Sequence, residues 1–201
     1  MGTKKYRLTG NHINIGNRIL YQIEALKDFG NVKAGDLGGY IESKENLSQY
    51  DNAWVYGDAQ VLGNAQVFDN ARVYGNACVF DNARVYGNAC VFDNAEVYGN
   101  ALVYDNAQVL GNARVFGDAQ IKSARDYIVF KNWWSSGRYF TWTRSNNMWK
   151  VGCFYGTGEE LIKKAYNDSE ISGREYERIV RYVESILADE KRKENEPIGI
   201  K

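Results

Sequence analysis

From Asp51 to Lys122 the chain repeats one six-residue phrase without a gap, from DNAWVY to GDAQIK. Ala holds the third place of every copy and Val or Ile the fifth. The first place is Gly or Asp and the second Asn or Asp. The sixth is Tyr, Phe or Leu in every copy but the last. Over the last four places a small or branched apolar residue alternates with an outward one, and that period of two predicts a short strand. The Gly/Asp and Asn/Asp pair tolerates left-handed backbone and makes local turn hydrogen bonds, so it predicts a tight corner. Short strands joined by single corners cannot build long hairpins, but they can coil. Three strands and three corners per turn make a triangular prism, and the twelve copies fill about four coils.

The same alternation sorts the side chains. Ala and Val fill a thin interior. The sixth places form three outward ladders: Tyr56, Tyr74, Phe92 and Leu110; Leu62, Phe80, Tyr98 and Phe116; Phe68, Tyr86, Tyr104 and Lys122. Ladders of this kind attract a cover, either another part of the chain or another subunit. Tyr56, Tyr74, Phe80, Phe92, Tyr98 and Tyr104 are therefore the candidate self-association surface. The variable fourth places, Trp54, Arg72, Cys78 and Glu96 among them, are mixed in sign and read as a solvated or subunit-facing surface.

The flanks follow other patterns. Residues 5–26 read as strand, bend at Gly16-Asn17, and strand. GDLGGYIES at 35–43 and ENLSQY at 45–50 read as degenerate first rungs, so residues 1–50 form an N-terminal β cap over the open coil end. Beyond Lys122 the repeat stops. Strands are predicted at 127–130, 138–144 and 148–155, with turns at 135–137 and 145–147, giving a small antiparallel sheet at the far end. Thr157-x-x-Glu160 and Ser172-x-x-Glu175 have the form of capping boxes. They open two helices, the second with Tyr176, Ile179, Val180, Val183, Ile186 and Leu187 on one stripe. The organisation is thus 1–50 cap, 51–122 coil, and 123–201 sheet plus helices, in a mainly β chain.

The coil resembles the hexapeptide-repeat left-handed parallel β-helix, in which an aliphatic residue is followed four places later by a small one, as Val55 is by Ala59 and Val61 by Ala65. The left hand and a trimeric assembly are what that resemblance implies. Stretches outside the coil, LYQIEALKDFGNVKAGDLGGYIES, SARDYI and VGCFYGTGEELIKK, are similar to uncharacterised hexapeptide-repeat proteins of phages and prophages, whose C-terminal module reads GCFxGTxEE. The resemblance implies a phage or prophage source and carries no activity with it.

Chemistry narrows the functional classes. Formal net charge is zero, with 25 basic and 25 acidic residues, so nothing pulls the whole chain toward nucleic acid or membrane. No apolar run approaches a membrane span, and no signal-peptide core follows Met1. Cys78, Cys90 and Cys153 are odd in number and scattered, which suits free thiols and a cytoplasmic location, that of the host for a phage protein. Acyl transfer, the activity best known for such coils, needs a base near the acceptor, and the one histidine, His12, lies outside the coil. A three-histidine metal site cannot be built, and the thiols have no ligand spacing. Calcium-binding β-rolls use a nine-residue phrase, whereas the Asn/Asp column here suits turn chemistry. No catalytic residue, cofactor or metal is expected.

Residues 123–156 stand apart, with five basic groups and one acidic, net +4. Arg125, Lys131, Arg138, Arg144 and Lys150 are interleaved with Trp133, Trp134, Tyr139, Phe140, Trp142 and Trp149, and the candidate contact residues are Lys131, Trp133, Trp134, Arg138, Trp142, Arg144, Trp149 and Lys150. Cations neutralise phosphates, while aromatic rings stack on bases or fill a partner's pocket. Alternatively the rings are simply the core of the small sheet. Trp133 and Trp134 are the sharpest pair, because adjacent strand residues cannot both face inward. The expectation is a non-enzymatic binding protein that self-associates as a dimer or trimer. Through these eight residues it binds, and in a phage setting inhibits, a host macromolecule, or it holds a nucleotide-like ligand. A hexapeptide-type acyltransferase and a self-assembling structural protein are the alternatives, and nucleic acid is left open as a partner.

Overall fold

A computed structural model describes residues 4–195. The repeat forms a parallel β-solenoid. Each copy contributes one two-residue rung, its variable residue and the Val or Ile after it, from β4 (Trp54–Val55) to β15 (Gln120–Ile121). Rungs eighteen residues apart pair in parallel, Trp54 with Arg72 and Cys90 with Gln108, so three faces build up as the spacing predicts. The solenoid also reaches back into the flank. Tyr40 and Ile41 of β3 (Leu37–Ile41) pair with Gln60 and Val61, and Leu47 bridges Val67. One face therefore carries five stacked strands, and the solenoid has about five turns, not four.

The first residue of every copy, whether Asp or Gly, has φ between 53° and 71°. That left-handed corner is open to Gly and, next best, to a short polar residue, which is why the place alternates between Gly and Asp. The Asp side chain also gains a partner there. The Gly87 N–H donates to Asp69 Oδ2, and Gly99 and Gly111 do the same to Asp81 and Asp93, each at 3.1 Å. The Asn of the second place makes its own ladder. Asn52 Nδ2 donates to Asn70 Oδ1 at 2.9 Å, Asn70 to Asn88 and Asn88 to Asn106 at 3.2 Å. Inside, the Ala and Val of every copy are fully buried. Outside, the aromatic ladders stack, with ring centroids 4.9 Å apart for Tyr74 and Phe92 and 4.5 Å for Phe80 and Tyr98.

The two ends of the solenoid pose opposite hydrogen-bonding problems. Each coil donates N–H groups to carbonyls of the next, as Trp54 does to Ala71 at 3.1 Å. The first coil is thus left with unpaired carbonyls and the last with unpaired N–H groups, and buried ones must find partners. The N-terminal segment supplies donors. Its hairpin, β1 (Tyr6–Ile15) and β2 (Arg18–Ala25), extends the sheet through β3. Lys5 Nζ donates to the carbonyls of Tyr50 (3.0 Å) and Ala53 (2.8 Å). Asn46 Nδ2 donates to those of Gly63 and Ala65, both at 2.9 Å, where the irregular first rung offers no backbone N–H. Tyr6 and Phe29 close edge-on over Trp54, which lies at an outward place yet is buried by the cap. Two glycines permit this closeness: a Cβ on Gly38 would stand 2.6 Å from the Val55 carbonyl oxygen, and one on Gly39 2.5 Å from that of Ala59.

The C-terminal end supplies acceptors. An antiparallel sheet of β16 (Tyr127–Lys131), β17 (Tyr139–Thr143), β18 (Met148–Val151) and β19 (Phe154–Gly156) follows the last coil. Thr141 Oγ1 accepts from Arg114 N at 2.8 Å, Ser145 Oγ from Gln120 N at 2.7 Å, and the Tyr127 hydroxyl from Leu110 N at 3.3 Å, one on each face. The expected single strand at 148–155 is two strands, because Gly152 (φ 54°) turns the chain back on itself. The sheet packs on α1 (Gly158–Asp168) and α2 (Glu170–Asn195). Thr157 and Glu160 do form a capping box. Ser172 does not open the second helix; α2 starts earlier, at Glu170, and the Ser172 N–H donates to Ser169 Oγ at 3.1 Å.

Candidate binding face on the C-terminal unit

The structure divides the eight candidate residues of 123–156 into groups. Trp142 and Trp149 are buried, packed in one cluster with Phe140, Leu161, Val180 and Val183. Their expected role as contact residues is corrected: the apolar stripe of α2 needs a partner, and these rings provide it. Arg144 is a structural anchor. Its guanidinium holds Glu190 of α2 at 2.6 and 3.3 Å, and its Nε donates to the Arg125 carbonyl at 3.0 Å. Lys150 lies over the rings of Phe116 (5.2 Å) and Tyr98 (5.9 Å), and burial there lowers its pKa. Trp134 turns inward onto Tyr176, edge to face at 4.9 Å. Its buried indole N–H has no hydrogen-bond partner among the described residues.

Lys131, Trp133 and Arg138 remain exposed. Tyr139 is exposed beside them, its ring 5.7 Å from Lys131 Nζ. These four flank the loop between β16 and β17, and the loop is held closed. Asn132 N donates to the Arg138 carbonyl at 2.8 Å. The Asn132 side chain, itself buried, donates to the Tyr176 hydroxyl (3.1 Å) and accepts from Ser135 N (2.9 Å). Trp133 therefore stands 74 % exposed on a pinned loop. Adjacent Trp residues face opposite ways, as strand geometry suggests, although both sit in the loop. Asn132 escapes sequence reasoning. An Asn just after an apolar run is a turn signal, but nothing marks it as the pin.

Beneath Arg138 and Tyr139, where the sheet overhangs the last coils, lies a groove of about 520 Å³. Asn94, Glu96, Asn112, Arg114, Gly152 and Cys153 complete its lining. Glu96 and Arg114 pair across adjacent coils at 3.0 Å. His12 is distant in the fold, on the N-terminal hairpin beside Tyr21. Among the six ladder aromatics, Tyr98 is covered by Lys150, and Tyr56 packs against the solenoid core. Tyr74, Phe80, Phe92 and Tyr104 are half-exposed.

The comparisons with known proteins speak to the coil alone. Residues 65–80 and 95–111 match the family model of the YdcK β-solenoid repeat. No curated protein matches the chain. The matched stretches lie inside the solenoid and leave both caps unmatched, so this is a β-helix repeat protein whose coil is similar to YdcK β-solenoid repeats.

Proposed function

We propose that this chain is a non-enzymatic binding protein, a rigid stem whose C-terminal sheet offers a contact surface to a protein partner. The observation that carries this reading is Trp133, a large ring left 74 % exposed on a loop pinned by the buried Asn132. Trp is the side chain most enriched among the few residues that dominate interface energies, and a fixed loop loses little entropy on binding. Lys131 and Arg138 on either side favour a partner with an acidic rim around an apolar pocket. The likeness of the ends to phage and prophage proteins directs the search to a host component in the cytoplasm, with blocking of a host defence protein as the version to test first. The half-exposed ladder residues Tyr74, Phe92 and Tyr104 support self-association as a dimer or trimer, which would present several copies of the Trp133 loop together.

The test is affinity capture from host lysate by wild type, W133A and K131E, with partners identified by mass spectrometry. Because neither side chain packs in the core, both variants should keep the wild-type thermal midpoint. W133A is expected to lose the partner, and K131E to weaken it in a salt-dependent way. A partner held equally well by W133A sinks the reading.

A further inference from the structure

The groove under the sheet's edge shares Arg138 with the Trp133 face, but its other lining residues carry chemistry that the Trp133 reading leaves unused. Many of the arginines hold carboxylates, as Arg7, Arg18, Arg114 and Arg144 do, while Arg72 bonds Cys90 Sγ and Arg84 lies over the rings of Phe68 and Tyr86. The Arg138 guanidinium has no ion-pair or hydrogen-bond partner among the described residues. It rests by the turn at Gly152, with Nη1 3.5 Å from where a Cβ there would stand. Because Glu96 already neutralises Arg114 at 3.0 Å, Arg138 sets the sign of the groove, and the ligand it favours is an anion.

The asparagine ladder also changes here. On the other two corners it runs to the last coil, Asn88 to Asn106 at 3.2 Å and Asn100 to Asp118 at 3.0 Å. On this corner it runs from Asn76 to Asn94 at 3.1 Å. Among the described residues, Asn94 Nδ2 and the Asn112 amide have no hydrogen-bond partner. Both line the groove, where they can offer donors and an acceptor to the edge of a heterocycle. Tyr139 adds a ring that is 40 % exposed. A volume of about 520 Å³ lies within the usual range for small-molecule sites.

An unpaired guanidinium, a 40 % exposed aromatic ring, the free Asn112 amide and the free Asn94 Nδ2 suit a phosphate joined to a planar base better than a simple carboxylate. We infer that this groove binds a nucleoside monophosphate, with the phosphate on Arg138, the base stacked on Tyr139 and the base edge read by Asn94 and Asn112. The inference stands apart from the Trp133 reading and survives if that reading fails.

Cys153 lies exposed in the same groove, whereas Cys90 is buried and Cys78 half-buried on the solenoid. Thiol alkylation followed residue by residue by mass spectrometry therefore reports occupancy at a known place. The probes are the four ribonucleoside 5′-monophosphates, with inorganic phosphate and the nucleosides as separate arms. At least one monophosphate should slow alkylation of Cys153 by about tenfold at saturation and leave Cys78 unchanged. Phosphate and nucleoside alone at the same concentration should protect far less. R138Q should weaken the protecting monophosphate by at least about tenfold, and R138K, which keeps the charge without the fork, by less. Y139L should weaken it comparably while leaving the circular dichroism spectrum unchanged. A Cys153 rate indifferent to all four monophosphates overturns the inference. So does protection that persists in R138Q, or equal protection by inorganic phosphate.

Discussion

Lys5 illustrates how a single residue can be both necessary and costly. The residue is 1 % exposed, and its ammonium closes two carbonyls at the first coil. Burial pushes its pKa from the ordinary 10.5 down to about 8, with Asp51 pulling weakly the other way. Since the folded pKa lies below the unfolded one, the unfolded chain holds more protons between about pH 8 and 10.5. Stability contributed by this group is therefore fully present above 10.5 and lost as pH falls through 8. Tyr6 works against it at the alkaline end. Burial raises its hydroxyl above the ordinary 10.0, so the unfolded chain ionises first and stability falls above that pH. The expected result is a denaturant midpoint that climbs from about pH 8 toward about pH 9.5, before the tyrosine takes over. K5M should lack that climb and lose about 1–3 kcal/mol near pH 9, with two carbonyls left unpaired. Parallel pH profiles for both proteins check this, because Lys150, which shifts in the same direction, cancels in the comparison.

The caps are where sequence and structure separate most clearly at the level of elements. The solenoid is legible because one phrase fixes corner, interior and exterior at once. The C-terminal strands are legible as strands, but their roles are not. Trp133, Trp142 and Trp149 look alike in a basic, aromatic stretch. Only the packing of α2 on the sheet buries the second and third and leaves the first in solvent. Trp54 is hidden for a related reason: its place in the phrase points outward, and a cap distant in sequence covers it. Thr141 carried no signal either, being a β-former in a β-strand. In the structure it is 0 % exposed and satisfies the Arg114 N–H at 2.8 Å. Replacing it with Val keeps the shape and removes the acceptor, so T141V should cost about 1–3 kcal/mol, and T141S much less. Chemical denaturation of the two variants side by side measures the hydroxyl's share. A loss in T141S with none in T141V would mean that the methyl packing, and not the acceptor, is what the end of the coil requires.

For the whole molecule, the stem and its two ends behave as separable parts. Within the repeat each rung bonds to rungs eighteen residues before and after it, so the solenoid is held by neighbour contacts along one dimension. The N-terminal donors act on carbonyls of residues 47–67, and the C-terminal acceptors on N–H groups of residues 110–123. Among the described residues, 68–107 have no hydrogen bond to either cap. Removing residues 75–92, one full turn, joins Tyr74 to Asp93 and restores the phrase across the junction. Both caps then meet unchanged coils. The shortened protein should fold cooperatively, with lower stability because one coil-to-coil interface is gone, and with a smaller denaturant slope because less surface is exposed on unfolding. Removing 75–90 instead leaves Val91 and Phe92 behind as two extra residues. They stand where a left-handed Gly or Asp corner is required, and one face falls out of register. That variant should lose cooperative unfolding or aggregate through its broken edge. Circular dichroism melts of the two deletions decide the matter. If the eighteen-residue deletion fails to fold while the sixteen-residue one succeeds, the stem is not the modular spacer that its hydrogen bonding describes.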